Sequence, residues 1–207
     1  SYGIFGIDNN TDNQTGVSAH DRYTSDRWKV AHEEGDNWKF EMIYRCNYFF
    51  SLVLPKFGDD LTGVDNTISG NLTDVKHYIG EMYFLRAAEY FKRYQIFGDF
   101  PIITEPLADS QDELREASKR MPRNEVARFI LSDLDKAITL MSESSMPTTR
   151  INKDAAILLK SRVALFEGTW LKYFKGTAFV PNGTGWPGAE KEYNSNYQYP
   201  SGSIDDE

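Results

Sequence analysis

The sequence predicts a mainly α fold built of stacked helix hairpins with long irregular loops. Three observations predict it. Four segments repeat apolar side chains at steps of three and four, the spacing of one helix face. Strand-like alternation is scarce, and the one extended run, PIIT at Pro101 to Thr104, carries a proline that confines it to an edge or a loop. Rings stand beside alanines within the helical segments, as stacked hairpins require where backbones approach and the adjoining gaps must be filled.

The first helix is expected at about Asn37 to Phe57, with Trp38, Met42, Cys46, Phe49 and Val53 as its apolar stripe. The second, about Asp74 to Phe97, gathers Phe84, Ala87, Ala88, Phe91 and Tyr94, leaving Arg86, Glu89 and Lys92 for the wetter side. Gly98 stops it and Pro101 blocks any resumption. The third, about Arg123 to Met141, starts at Pro122 or Asn124 and is striped by Val126, Ile130, Leu134, Ala137 and Met141. The fourth, about Lys153 to Phe174, follows Asn152 as N-cap and carries Ala156, Leu159, Val163, Phe166, Trp170 and Phe174 on one face. Irregular surface is expected over residues 1 to 36, over Gly58 to Asn71, and from Gly176 onwards.

Composition narrows the function classes. Lys and Arg total 23 against 31 Asp and Glu, a net charge of −8 with no basic run, which argues against a nucleic-acid partner. The single cysteine, Cys46, sits among apolar residues and reads as a buried small hydrophobe, so neither a disulfide nor a cysteine zinc site can be built within the chain. No apolar run reaches the length of a membrane-spanning helix. His20, His32 and His77 share no metal-ligand spacing, and no nucleophile elbow, P-loop or dinucleotide fingerprint is present. No catalytic residue, metal or cofactor is assigned.

The run Tyr90-Phe91 to Phe97-Gly98-Asp99 resembles the first helix and turn of a tetratricopeptide unit, DLDKAITLM its second helix, and AAILLKSRVALFEGTW a first helix again. The link from Gly98 to Pro122 is far longer than the turn of an ordinary repeat, so a plain array does not fit. Three runs in order, FLRAAEYFKRYQIFGDFPIITEPL, NEVARFILSDLDKAI and RINKDAAILLKSRVALFEGTW, resemble successive signatures of the SusD/RagB family of outer-membrane nutrient-binding lipoproteins. Upstream, NWKFEMIYRCNYF is similar to that family's Trp-led helix.

The resemblance implies one SusD-like domain over residues 1 to 207, incomplete at both ends, with a tetratricopeptide-like scaffold at 74 to 175. It implies non-catalytic binding of an oligosaccharide at the cell surface and delivery to a SusC-like TonB-dependent transporter. It also implies outer-membrane attachment through an N-terminal lipid-bearing cysteine not present in this chain. The alternatives are a tetratricopeptide-type adaptor for protein or peptide, and a SusD-like protein with peptide or another nutrient as cargo.

Sugar recognition pairs aromatic faces with planar polar groups that satisfy hydroxyls, so ligand residues are sought in loops. Tyr23, Arg27 and Trp28, near Asp8, Asn10 and Asp12, have this chemistry; Trp186, with Tyr193, Tyr197 and Tyr199, forms a second group. The stretch DNNTDNQTG opens like a calcium loop at Asp8, Asn10 and Asp12 but lacks the turn glycine and the bidentate glutamate, which excludes an EF-hand. The helical rings Phe84, Phe91, Tyr94, Phe166 and Trp170 are read as core.

Overall fold

A computed structural model of the chain describes residues 37–58, 60–143 and 149–207. These fall within the compact unit Asn37–Glu207. Among the described residues it holds five α-helices: α1 (Glu41–Phe57), α2 (Leu72–Phe97), α3 (Gln111–Ala117), α4 (Arg123–Leu140) and α5 (Lys153–Phe174). Two short 3-10 turns follow at Pro187–Glu190 and Glu192–Asn194. Among the described residues no strand forms. The architecture is mainly α, as the sequence predicts.

Several helix ends have a local chemical reason. Asn71 caps α2 by accepting from the Thr73 and Asp74 N–H groups at 2.8 and 3.4 Å. Gly98 closes α2 at φ +65°, with its N–H on the Tyr94 carbonyl at 2.9 Å. Asn152 caps α5 through the Ala155 N–H at 2.9 Å. Pro122, which has no N–H to lose, opens α4, and the orphan N–H of Arg123 is taken by Asp99 Oδ1 at 2.9 Å.

The helices stack in sequence, α1 on α2, α2 on α4 and α4 on α5, while α2 meets α5 only marginally. Nearest-neighbour packing of this kind is the solenoid pattern. One apolar cluster joins Tyr90, Phe91 and Tyr94 of α2 to Val126, Ile130 and Leu134 of α4 and Val163 of α5. A second joins Cys46, Phe50 and Phe57 of α1 to Ile79 and Tyr83 of α2 and to Ala137 and Leu140 of α4. Gly80 lets α2 approach the end of α4 closely: a Cβ there would meet Met141 and the Ala137 carbonyl.

Three expectations are corrected. Helix α1 starts later than Asn37 and turns a different face inward: Ile43, Cys46, Phe50 and Phe57 are buried, while Trp38 and Met42 are 37% and 44% exposed. Its buried line includes Asn47, a polar residue that a purely apolar stripe misses. Arg86 and Glu89 lie inside rather than on the wet side of α2. Arg86 forks onto Asp133 of α4 (Nε to Oδ2 2.7 Å, Nη2 to Oδ1 2.9 Å) and donates to Asn47 Oδ1 at 2.8 Å. Asn47 in turn donates to the Ile103 carbonyl at 2.9 Å. Glu89 accepts from Arg93 at 2.6 Å and from Lys92 at 3.1 Å.

The third correction concerns the long link. It contains α3, which buries none of its residues. It is also pinched shut at its base, because Phe100 and Met121 exchange N–H···O bonds of 3.2 and 3.1 Å in an isolated antiparallel bridge.

Candidate ligand-binding site

The sequence that ends α2 also builds the site. Gly98 turns the chain sharply, and the next residue, Asp99, is left with both carboxylate oxygens facing other elements. Oδ1 receives the Arg123 N–H, and Oδ2 accepts from Trp186 Nε1 at 2.9 Å. One side chain therefore ties the α2–α3 link to the start of α4 and to the C-terminal loop. Burial raises the Asp99 carboxyl above the usual carboxylate range, against the opposing pull of Trp186 and Arg123.

Around this tie lies a cavity of about 640 Å³. Its walls come from the last turn of α2, from Arg120 and Arg123, from Phe166 and Trp170 of α5, and from the loop between Ala178 and Asn194. The Arg123 guanidinium lies 4.1 Å from the Trp170 ring centre and 4.9 Å from that of Tyr94. It donates to Glu167 Oε2 through Nε at 3.1 Å and Nη2 at 2.8 Å, and through Nη2 to the Tyr94 hydroxyl at 2.6 Å. Tyr94 also bonds Glu167. The Trp170 indole N–H reaches the Phe179 carbonyl at 3.0 Å, which fixes the ring as a wall.

Burial dominates the titration of this pair. It pushes the Glu167 carboxyl up to about 8, with the Glu207 carboxylate adding to the effect, and pulls Arg123 down to about 9. A guanidinium keeps its proton in folded proteins, so Glu167 is the partner that titrates. Its Oε1 is buried with no hydrogen-bond partner among the described residues.

The rim is wetter and more mixed. Phe179 is 60% and Tyr193 43% exposed. The Tyr193 hydroxyl accepts from the Arg120 N–H at 3.3 Å. The Arg120 guanidinium lies 4.7 Å from the Trp38 ring centre and 6.0 Å from that of Phe97. Aromatic walls with planar polar groups at the rim can receive the apolar face of a ring while satisfying its substituents.

Of the residues singled out in the sequence, Trp186 is placed in this wall. It is 4% exposed, and its ring is closely flanked by Gly188, where a Cβ would collide with the indole. Tyr193 lines the same cavity, whereas Tyr197 and Tyr199 bond Asn124 and the Pro181 carbonyl. Asp8, Asn10, Asp12, Tyr23, Arg27 and Trp28 lie outside the described residues. Phe166 and Trp170, read as pure core, are half-buried and form part of the cavity wall. His77 is structural: it is fully buried, with Nε2 at 3.0 Å from the Ile151 carbonyl and Nδ1 accepting from the Ser142 N–H at 3.1 Å. Sequence reasoning missed Asp99, Arg120, Arg123 and Glu167. The signal for Asp99 was its place directly after a helix-stopping glycine.

The profile of a SusD-like family, described as starch-binding and associating with the outer membrane, matches residues 8–165. The chain belongs to the SusD-like family. A solved laminarin-binding SusD-like protein superposes at a TM-score of 0.50 and 23% identity, over 64% of this chain and 26% of that one. Its likeness places the stacked helices within the SusD-like fold. A SusD-like protein from Bacteroides fragilis NCTC 9343 is 28% identical, with a TM-score of 0.49 over 64% of this chain and 23% of its own. Surface glycan-binding protein A from Bacteroides fluxus is 24% identical, with a TM-score of 0.45 over 66% and 26% of the two chains. The chain thus spans about a quarter of the length of these solved structures. Among curated proteins none matches.

Proposed function

We propose that this SusD-like chain belongs to a cell-surface protein that captures oligosaccharide without altering it and passes it to a SusC-like TonB-dependent transporter. Attachment at the outer membrane is through an N-terminal lipid. The match to a starch-binding, outer-membrane-associated family over residues 8–165 carries this reading. The aromatic cavity beside the Asp99 tie supports it with suitable chemistry. In this reading residues 1 to 207 act as one domain, with the helical scaffold at 74 to 175 holding loops that meet the ligand. Tyr23, Arg27 and Trp28 supply a stacking platform and hydroxyl ligands, aided by Asp8 and Asn10, and Trp186 backs a second aromatic surface from within the cavity wall.

A glycan array probed with the protein tests the reading, followed by calorimetry on the best saccharide. If Trp28 is such a platform, Trp28→Ala should weaken that binding severalfold while leaving the melting temperature nearly unchanged, since a ring that serves the ligand from the surface contributes little to folding. Binding to peptides with no glycan signal would replace the reading with a tetratricopeptide-type adaptor. Unchanged affinity with a lowered melting temperature would assign Trp28 to packing.

A further inference from the structure

The charges around the cavity are not matched in the way the whole chain would suggest. The protein is acidic, with a net charge of −8. Among the described residues four charged side chains line the cavity, Asp99, Arg120, Arg123 and Lys191, and three of them are basic. Arg123 is committed to Glu167 at 2.8 Å. Asp99 accepts through both oxygens from neutral donors, Trp186 and the Arg123 N–H, so its charge is not cancelled by them, and Arg120 lies near enough to act on it. Arg120 and Lys191 together outweigh Asp99 by one positive charge. Among the described residues, no side chain accepts a hydrogen bond from the Arg120 guanidinium or the Lys191 ammonium. Arg120 is nevertheless positioned, held over Trp38 and Phe97 by ring contacts that leave its N–H fork free.

An oriented guanidinium with no side chain hydrogen-bonded to its fork, at the mouth of an aromatic cavity, matches one kind of partner best: an anionic group in the plane of that fork, attached to a body with an apolar face. Neutral hydroxyls can accept from that fork, but a carboxylate or sulfate makes the stronger, charge-assisted bonds to it. We propose that this cavity receives a saccharide bearing an anionic substituent, a uronate carboxylate or a sulfate ester. Arg120 and Lys191 hold the charge, and the Trp170 and Phe179 rings flank the sugar. The inference rests on the glycan-binding reading above and narrows its ligand class. It also predicts attraction over distance, because the site is locally positive on an acidic molecule, and that attraction weakens as salt screens it.

Calorimetric titration with four probes tests it: oligogalacturonate, its methyl ester, a sulfated galactan oligosaccharide and a neutral malto-oligosaccharide. The methyl ester keeps the ring and removes the charge. At least one anionic probe should bind about tenfold or more tightly than its neutral counterpart, the difference shrinking with added salt. Whichever of the two anionic probes responds identifies carboxylate or sulfate as the source. Arg120→Gln, and separately Lys191→Gln, should erase most of that preference at an unchanged melting temperature, since both side chains are exposed. Equal binding of charged and neutral probes, or a preference that survives both substitutions, overturns the inference and leaves the glycan reading standing. Binding of no saccharide at all overturns both.

Discussion

Arg86 carries its charge where α1, α2 and α4 meet, with Phe50 and Phe129 ring centres at 4.6 and 5.1 Å from its guanidinium carbon. Its fork is filled by Asp133 and Asn47, so the desolvated charge is compensated within hydrogen-bond distance. Removing one partner leaves the other buried and alone. Asp133→Ala should cost about 3 to 5 kcal/mol in urea unfolding, and an Arg86→Met, Asp133→Leu double substitution less than the sum of its parts. Tyr90 offers a smaller test of the same kind: its hydroxyl accepts from the Ile103 N–H at 2.7 Å and donates to the Ile103 carbonyl at 3.1 Å. Tyr90→Phe should cost about 1 to 3 kcal/mol by stranding both. None of this was legible beforehand, because a lone Arg, Asp or Asn in a helix pattern reads as surface until the partner helix is known. Cys46 was legible: its thiol is buried, and burial pushes it up to about 11, consistent with an inert packing residue.

The helices were readable in proportion to how much they bury. Helix α5 occupies the expected span and α4 nearly so, and the Asn152 cap and Gly98 stop fall where they were expected. Capping residues act locally, so their signal survives without knowledge of the fold. Helix α3 was missed because QDELREA has no apolar stripe and buries nothing, which removes the periodicity on which such a reading depends. The face of α1 was misread for another reason: Trp38 and Met42 have the right spacing but precede or flank the line that meets α2. Two substitutions test the element ends. Asn71→Ala should lower stability by about 1 kcal/mol through loss of the α2 cap, and Gly98→Ala by about 1 to 2 kcal/mol because a Cβ is strained at that positive φ. Thermal or urea unfolding of each variant measures the loss. Circular dichroism should show unchanged helix content in both; a fall would mean that α2 unwinds instead of straining.

At the scale of the whole molecule, the buried carboxyls set an unusual pH dependence. Glu167 and Asp99 are raised, so folding holds protons that the unfolded chain releases above about pH 4.3. The Glu167 contribution is complete below that value and is lost as pH rises towards 8, its folded value, and the Asp99 contribution is lost in the same direction. Glu207 acts in the opposite direction: burial would raise it, but hydrogen bonds from Arg128, Ser201 and Asn124 hold it down at about 2, so its contribution is lost as pH falls through the acid range. The melting temperature should therefore peak near pH 5, and Glu167→Gln should flatten the decline towards pH 8; a wild-type curve still rising at pH 8 would refute this. The cavity itself was only half legible, since Trp186 could be named from its loop while Asp99 and Arg123, which seat it, are 24 residues apart and meet only when α2 and α4 are stacked. The Phe100–Met121 bridge bears on how such a molecule changes over generations. Because the segment leaves and rejoins the stack through one closed doorway, its outer part around α3, beyond the Ile103 bonds to Asn47 and Tyr90, can lengthen, shorten or be exchanged like a cassette while the register between α2 and α4 stays fixed, so new surface can be tried there without rebuilding the framework.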